Sequence, residues 1–183
     1  MPLKLENLDF LFENSRVKVI ANRNYPEMKL GLKVGPFQEG NEYDVYYWIA
    51  AELSQAGIVH FREEDNLDAT KLYKVQWKER VQVAGQISEL PEDFYPKLRM
   101  YLGQLNDEIA KQPHKIQEYD KAKSLAFDIV NSRLKKIVSL SSGPLQGEQI
   151  IQKLTTEERL LYMQLGKIIS KWRTQILEHQ VEG

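Results

Sequence analysis

The strand-like patterns of apolar residues in this chain stop at about residue 61. Before that point, residues 16–20 and 28–34 are rich in β-branched residues or alternate strictly, as half-buried strands do. After it, apolar residues recur at spacings of three and four, as on one face of a helix. This order predicts an α+β fold. We expect a small β-rich domain with one or two helices at 1–63 and a larger all-α helical bundle at 66–183.

The small domain is expected to begin with a short helix, because Leu5, Leu8 and Phe12 share one helical face. Two antiparallel strands follow at 16–20 and 28–34, joined by the turn sequence "NRNYP". Strict alternation in the second strand places its four apolar residues on one buried face. These residues are Met28, Leu30, Leu32 and Val34.

The stretch after Gly35-Pro36 contains a dense aromatic cluster. Asp44 is a candidate N-cap for a helix that ends before Gly57, and a third strand follows at 58–61. Within that helix, Trp48, Ile49 and Leu53 are expected to pack against the sheet. We interpret the aromatic residues as the core and docking seam of the small domain. They are Phe37, Tyr43, Tyr46, Tyr47 and Trp48.

The second domain has clear helix boundaries. Asp68 is expected to cap a helix that runs to about Val83, and a long helix is expected from Pro113 to about residue 141. The last helix begins with the capping box formed by Thr155 and Glu158. On the long helix, the predicted inner line is Tyr119, Ala126, Val130, Leu134 and Ile137.

Several of these helices have more apolar surface than one bundle needs. A helix that is apolar on two sides packs against two neighbours, inside its bundle or across a subunit interface. Because Tyr and Trp are also enriched in interface cores, we predict an obligate oligomer. The candidate interface residues are Tyr73, Trp77, Leu161, Leu165, Ile168, Trp172 and Ile176.

Residues arranged for catalysis or metal binding are not found in the sequence. The chain has no cysteine, and His60, His114 and His179 are far apart. The acidic pairs at 92–93 and 157–158 are interpreted as charges at helix N-termini, where the helix dipole favours them, and neither pair has an apolar context. We therefore predict a protein that is not an enzyme and has no cofactor.

Lysines on the long helix leave an alternative function open. Lys121, Lys135 and Lys136 fall on roughly one side and could follow a phosphate backbone, whereas Arg133 falls closer to the apolar line. Acidic residues are interleaved with them, and the net charge of the chain is −1. A solvated, ion-paired face is therefore favoured over direct DNA contact.

The sequence contains neither a signal-peptide pattern nor an apolar run of the roughly 20 residues needed to span a bilayer. An intracellular location without membrane contact is expected. This location is cytoplasmic and nucleoid-associated if the source is archaeal, and nuclear if it is eukaryotic.

Five segments together resemble the GINS family. They are "FLFENSRVKVIAN", "LGLKVGPFQEGNEYDVYYWIAAELSQAG", "LPEDFYPKLRMYL", "IVNSRLKKIVSL" and "LTTEERLLY". The most specific element is G-P-F followed by W-I-A-x-x-L, between residues 35 and 53. The family often has a proline just before the tryptophan, where this chain has Tyr47.

The resemblance implies a non-enzymatic subunit of a DNA-replication complex. GINS subunits combine a small β-rich domain with a helical domain in either order, and the β-rich domain comes first here. The order implies the subtype that pairs with a helical-domain-first GINS subunit in a two-plus-two tetramer. Implied partners are the MCM helicase and a Cdc45/RecJ-like protein, which form the CMG complex together with GINS, and primase is a further implied partner. Contact of this subunit with DNA is implied to be indirect or weak. The short chain, without long insertions, points to an archaeal source.

Overall fold

The computed structural model describes residues 6–62, 64–81, 86–144 and 147–177. The chain divides into two compact units, an N-terminal unit up to Asn66 and a C-terminal unit from Leu67 onward. The N-terminal unit contains strands and short helices, and the C-terminal unit contains a helical bundle. The predicted α+β fold, with the β-rich part first, is therefore confirmed.

The N-terminal unit consists of short elements. They are α1 (Glu6–Glu13), β1 (Arg16–Ala21), β2 (Met28–Lys29), β3 (Lys33–Val34), β4 (Glu42–Tyr46), α2 (Tyr47–Gln55) and β5 (Val59–Phe61). An antiparallel sheet has β1 at its centre, paired with β4 on one side and β5 on the other. Val19 lies opposite both Tyr43 and Phe61, and it packs in a core with Ile49 and Leu53 of α2.

The strand predicted over residues 28–34 is instead a tight hairpin. Met28 of β2 pairs with Val34 of β3, and the chain reverses around Gly31, whose φ of 79° lies in the left-handed region that glycine tolerates. Leu30 and Leu32 lie in the turn and are exposed. The predicted buried face was therefore wrong for these two residues. Alternation of apolar residues fits both a strand and a short hairpin, and it does not reveal the glycine conformation.

The predicted N-cap at Asp44 is also wrong. Asp44 lies within β4, opposite Lys18, and α2 begins only at Tyr47. The end of the helix is as predicted, since Gly57 follows the C-cap residue Ala56 with a φ of 67°. Alternating residues of β4 face the core, with Val45 buried. This pairing with β1 keeps residue 44 in the sheet.

The C-terminal unit is built around one long helix. Its elements are α3 (Ala69–Val81), α4 (Phe94–Lys111), a 3-10 turn (Pro113–Lys115), α5 (Ile116–Ser142), α6 (Glu148–Ile151) and α7 (Thr156–Leu177). Helix α5 packs against α3, α4 and α7. The predicted helix end at Val83 lies outside the described residues.

Two predicted helix starts are confirmed by hydrogen bonds. The backbone N–H of Lys71 donates to Oδ1 of Asp68 at 2.7 Å, ahead of α3. At the start of α7, the N–H of Thr155 donates to Oε2 of Glu158 at 3.1 Å, and the N–H of Glu158 donates to Oγ1 of Thr155 at 3.4 Å. This reciprocal pair is the predicted capping box.

The predicted inner line of α5 is only partly correct. Ala126 and Ile137 are buried, whereas Val130 and Leu134 are exposed. The buried line is Ala122, Ala126, Ile129, Arg133, Ile137 and Leu140. Both lines have helical spacing, and the tertiary structure buries the one that contains an arginine because that arginine finds carboxylate partners there.

Candidate subunit interface

The apolar face of α7 is packed at one end and bare at the other. Leu161 and Leu165 pack with Ile137 and Leu140 of α5. At helical spacing, the same face continues through Ile168, Trp172 and Ile176, whose exposed fractions are 64%, 60% and 62%. Leucine, isoleucine and tryptophan in this arrangement are typical of a surface that a partner covers. We call the Ile168, Trp172 and Ile176 side chains the α7 apolar stripe.

Helix α3 presents a second apolar surface. Its inner side is formed by Leu72, Gln76 and Glu79, which are buried. Tyr73 and Trp77 lie on another side of the helix and are exposed, together with Val81. The sequence analysis named Tyr73 and Trp77 as candidate interface residues, and the structure places both side chains in solvent.

A third exposed surface was missed by the sequence reasoning. It lies on α5, where four apolar residues follow one another at spacings of three and four. They are Phe127, Val130, Leu134 and Val138. The spacing was visible in the sequence, but two of these residues were assigned to the inner line. Periodicity identifies an apolar line and does not state which of two such lines a neighbouring helix covers.

The bundle that holds these surfaces contains a buried charge cluster, centred on Arg133. Arg133 has no exposed surface, and Glu79 and Glu158 are 2% and 3% exposed. The Arg133 Nη1 donates to Glu79 Oε1 at 2.7 Å, and Nη2 donates to Glu158 Oε2 at 2.6 Å, while Nε donates to Glu158 Oε1. One guanidinium therefore joins α5 to both α3 and α7.

The remaining oxygen atoms of the cluster also have donors. Lys136 Nζ donates to Glu79 Oε2 at 2.6 Å and to the Glu79 carbonyl at 2.9 Å. The Ser88 hydroxyl donates to Glu79, and the Tyr95 hydroxyl of α4 donates to Glu158 Oε1 at 2.7 Å. Two cationic side chains face two carboxylates, so the charges of these four groups cancel.

The surroundings shift the pKa values of these groups. Burial raises the pKa of Glu79, but the hydrogen bonds from Lys136 and Ser88 and the charge of Arg133 outweigh it and hold the pKa below its ordinary value. Burial lowers the pKa of Arg133, and the bonds and charge of Glu158 more than reverse this. Burial, followed by the charge of Glu158, raises the pKa of Tyr95. Glu79 and Arg133 therefore stay charged, and Tyr95 is a neutral donor.

The position of Glu158 corrects an expectation from the sequence. Its place beside Glu157 at a helix start, outside an apolar context, gave no indication of burial, yet its carboxylate is buried against Arg133. The sequence contained one indication of a buried carboxylate, namely the position of Arg133 near the apolar line of α5. An arginine on an apolar line needs a buried carboxylate, but the sequence does not say which one.

The three lysines considered for DNA contact are not equivalent. Lys121 and Lys135 are exposed, whereas the ammonium group of Lys136 is bound to Glu79. Asp128 on the same helix accepts a hydrogen bond from Gln76 at 2.6 Å. Because one lysine of the set serves the internal charge cluster, the structure does not bring the three together as a phosphate-binding surface.

The aromatic residues of the N-terminal unit mostly contact one another. Phe37 is buried and lies edge-on to Tyr43, with 4.8 Å between ring centroids. The Tyr47 ring lies between Phe12 and Phe61, at centroid distances of 4.8 and 5.6 Å. These contacts account for the packing of three of the five predicted seam residues inside the unit.

Two further aromatic residues of this unit lie closer to its surface. The Arg16 guanidinium lies over the ring of Tyr46, 4.9 Å from its centroid. Trp48 is 38% exposed, whereas Ile49 and Leu53 of the same helix are buried. The expectation that Trp48 packs against the sheet with them is therefore wrong. Trp48 therefore remains available for the docking contact that the sequence predicts.

The structure describes two of the three histidines of the chain. His60 is exposed in β5 and hydrogen-bonded to Asn22, His114 is exposed, and His179 lies outside the described residues. Over residues 6–62, 64–81, 86–144 and 147–177, no group of three or more His, Asp or Glu side chains is placed to hold a metal ion. Within the same ranges, none of the helices is both long and apolar enough to cross a bilayer.

The described residues form a β-rich unit and, after it in the chain, a helical bundle with several exposed apolar faces. These features are typical of proteins that assemble through subunit contacts. The family model of the GINS complex protein helical bundle domain matches residues 60–177, which is more than half of the chain. The chain belongs to this family and is a GINS complex subunit. The predicted resemblance is therefore confirmed.

A relative in human, the DNA replication complex GINS protein PSF2, is 25% identical over 174 residues. The match covers 94% of this chain and 87% of the human protein. The similarity thus extends through the N-terminal unit, beyond the residues that the family model matches. The predicted archaeal source stays a prediction.

Proposed function

We propose that this GINS subunit is a non-enzymatic building block of a DNA-replication complex, and that the α7 apolar stripe binds another GINS subunit. The observation that carries the proposal is the bare continuation of a packed helix face through Ile168, Trp172 and Ile176. Burying a large apolar side chain contributes about 1.5–3 kcal/mol. Three such side chains on one face therefore provide a strong driving force for association.

Two of the three exposed apolar surfaces of the bundle contain predicted interface residues, and they support more than one subunit contact. Besides the α7 apolar stripe, Tyr73 and Trp77 on α3 form a separate exposed aromatic pair. A chain with two distinct apolar surfaces can contact two neighbours at once. This arrangement supports the two-plus-two tetramer with a helical-domain-first GINS subunit that the family resemblance implies.

The proposed site of action is the replication fork, in association with the MCM helicase and a Cdc45/RecJ-like protein. Membership of the GINS family and the name of the human relative support this step. The proposal assigns no residues to the helicase contact. Direct DNA contact is not favoured, because Lys136 is bound to Glu79.

The test is co-expression of the chain with a helical-domain-first GINS subunit, followed by sedimentation. We expect a stable tetramer with the wild-type chain and loss of that tetramer with Trp172→Glu. The reason is that a charge on the α7 apolar stripe would be buried without a partner, at a cost of several kcal/mol. Thermal unfolding of the single chain should change little, since Trp172 is exposed.

The matched control is Thr174→Glu. Thr174 is exposed on the same helix, two residues along and so on nearly the opposite face. This variant should assemble like the wild type. The proposed interface would be contradicted if the wild-type chain stayed a stable monomer in the presence of its partner subunit. An equal effect of the two substitutions on assembly would contradict it as well. The wild-type assembly, used as bait in cell extract, should also recover helicase subunits, and the Trp172→Glu chain should not.

A further inference from the structure

Beside the α7 apolar stripe, the helical bundle contains an open groove where the end of α5 meets the middle of α7. Its volume is about 690 Å³, within the range of ligand-binding clefts. Its lining combines apolar, small and basic residues. They are Ser141, Gly143, Tyr162, Met163, Gly166, Lys167, Ile169, Ser170, Lys171 and Arg173.

The charge of this groove has one sign. Three of its lining residues are basic, and none of the described lining residues is acidic. The sequence shows the same asymmetry, because residues 159–177 contain four basic residues and no acidic one, with the next acid at Glu178. In a chain whose net charge is −1, this local excess favours an anionic ligand.

The side walls of the groove are held in place by the fold. Arg173 Nη2 donates to the carbonyl oxygen of Ser142 at 2.6 Å, which ties α7 to the end of α5. The Ser141 hydroxyl donates to the carbonyl of Ile137 at 2.7 Å. The same hydroxyl lies 3.4 Å from the carbonyl oxygen of Tyr162 on α7. The Arg173 and Ser141 bonds to the facing helix therefore hold the two walls of the groove together before any ligand binds.

Gly166 lies in the groove lining at a position where the fold does not require glycine. A glycine inside a helix costs about 0.5–1 kcal/mol relative to alanine. A Cβ at Gly166 would meet no atom of the described residues within 4 Å, so internal packing does not explain the missing side chain. The absence of a side chain keeps the groove open.

We propose that this groove binds an acidic linear segment of a partner protein, with an apolar side chain inserted beside Tyr162 and Ile169 and acidic residues near Lys167 and Lys171. The mixture of an apolar concave lining with basic residues suits a peptide of this kind. A phosphate backbone would instead require a continuous basic stripe. The proposal goes beyond subunit assembly and does not depend on the α7 apolar stripe.

The test measures binding of a fluorescent peptide of about 12 residues, in which Asp and Glu flank a Leu-Phe pair, to the full chain by anisotropy. We expect saturable binding that Lys167→Gln/Lys171→Gln weakens about five- to tenfold, since each exposed ion pair contributes modestly. The control Lys121→Gln/Lys135→Gln removes two exposed lysines of α5 and should leave the affinity unchanged. A peptide with Asn and Gln in place of its acids should bind at least about tenfold more weakly.

A second variant separates binding from folding. Gly166→Leu adds a side chain to the groove and replaces glycine with a strong helix former, so the melting temperature should stay the same or rise while peptide binding is lost. The proposal would be overturned if the wild type did not bind the acidic peptide. It would also be overturned if Gly166→Leu still bound the peptide, or if the two pairs of lysine substitutions had equal effects. Tighter binding of a single-stranded oligonucleotide that displaces the peptide would overturn it in favour of nucleic acid.

Discussion

Arg133 is the largest fully buried side chain among the described residues. Removing an ion from water costs several kcal/mol, and mutual attraction offsets this only when the hydrogen bonds are complete. Here each guanidinium nitrogen donates to a carboxylate oxygen. The acceptors lie 54 and 25 residues away along the chain, on α3 and α7. One residue therefore specifies how three helices meet.

Replacing Arg133 with methionine should destabilise the helical unit by about 3–5 kcal/mol, because Glu79 and Glu158 would lose their shared cation while remaining buried. The measurement is the free energy of unfolding from urea titration. Lys135→Met is the control, since Lys135 is exposed on the same helix and its loss should change the value by less than about 0.5 kcal/mol. Similar effects of the two substitutions would show that the buried cluster contributes little.

The cluster also predicts a dependence on pH. The pKa of Glu79 is lowered in the folded chain, so its contribution to stability is present above the unfolded pKa and is lost as the pH falls through the folded one. The contribution of Glu79 to the free energy of unfolding should therefore stay constant between about pH 7 and pH 5 and fall as the pH drops further. Glu79→Gln should be destabilised most at neutral pH, and the gap to the wild type should narrow on acidification.

Other carboxylates make the comparison with this variant necessary. The pKa of Glu92 is also lowered, with burial opposed by the hydrogen bonds from Arg159 and Thr156, and it contributes to acid sensitivity in both chains. The difference between wild type and Glu79→Gln isolates one group. A gap that stays constant from neutral to acid pH would contradict the assigned role of Glu79.

At the level of elements, the sequence predicted where helices begin more accurately than it predicted which helix faces are buried. Capping hydrogen bonds join Asp68 to the start of α3, and Thr155 to Glu158 at the start of α7. Each of them joins residues three positions apart, so the local sequence is sufficient to predict them. The faces of α5 depend on distant helices, and there Val130 and Leu134 were misassigned. The Asp44 cap failed for a related reason, since pairing of β4 with β1 competed with helix formation.

The capping box gives a prediction for α7. Thr155→Ala should lower the free energy of unfolding by about 0.5–2 kcal/mol, because the N–H of Glu158 loses its acceptor in a buried position. Urea denaturation monitored by far-ultraviolet circular dichroism measures this. Thr174→Ala, at an exposed position within the same helix, should change the value by less than about 0.5 kcal/mol. A cost at residue 174 as large as at residue 155 would argue against the cap.

At the level of the whole molecule, each unit has its own buried core. The N-terminal core includes Val19, Phe37 and Ile49. The C-terminal unit has one core around Leu72 and Ile129 and another around Ile137. Separate cores support the proposal of a domain boundary between residues 63 and 66, as drawn from the change in apolar spacing.

This organisation predicts how fragments behave. A fragment of residues 66–183 should keep its helicity and unfold cooperatively, because the described core residues of the bundle lie within it. A fragment of residues 1–63 should unfold at a lower urea concentration, since a domain of about 60 residues buries a smaller fraction of its surface. Calorimetry and circular dichroism of the two fragments test this. A helical fragment without a cooperative transition would contradict separate domains.

The sequence by itself determined that a β-rich part precedes a helical bundle, the caps of α3 and α7, and the presence of apolar residues beyond the needs of one bundle. These properties depend on residues within a few positions of one another, where period and capping chemistry are direct physical signals. The tertiary structure decided that residues 28–34 form a hairpin, that Arg133 and Glu158 are buried together, and that α7 is bare from Ile168 onward. Each of these depends on which distant segment packs against which face, and periodicity carries no information about that choice.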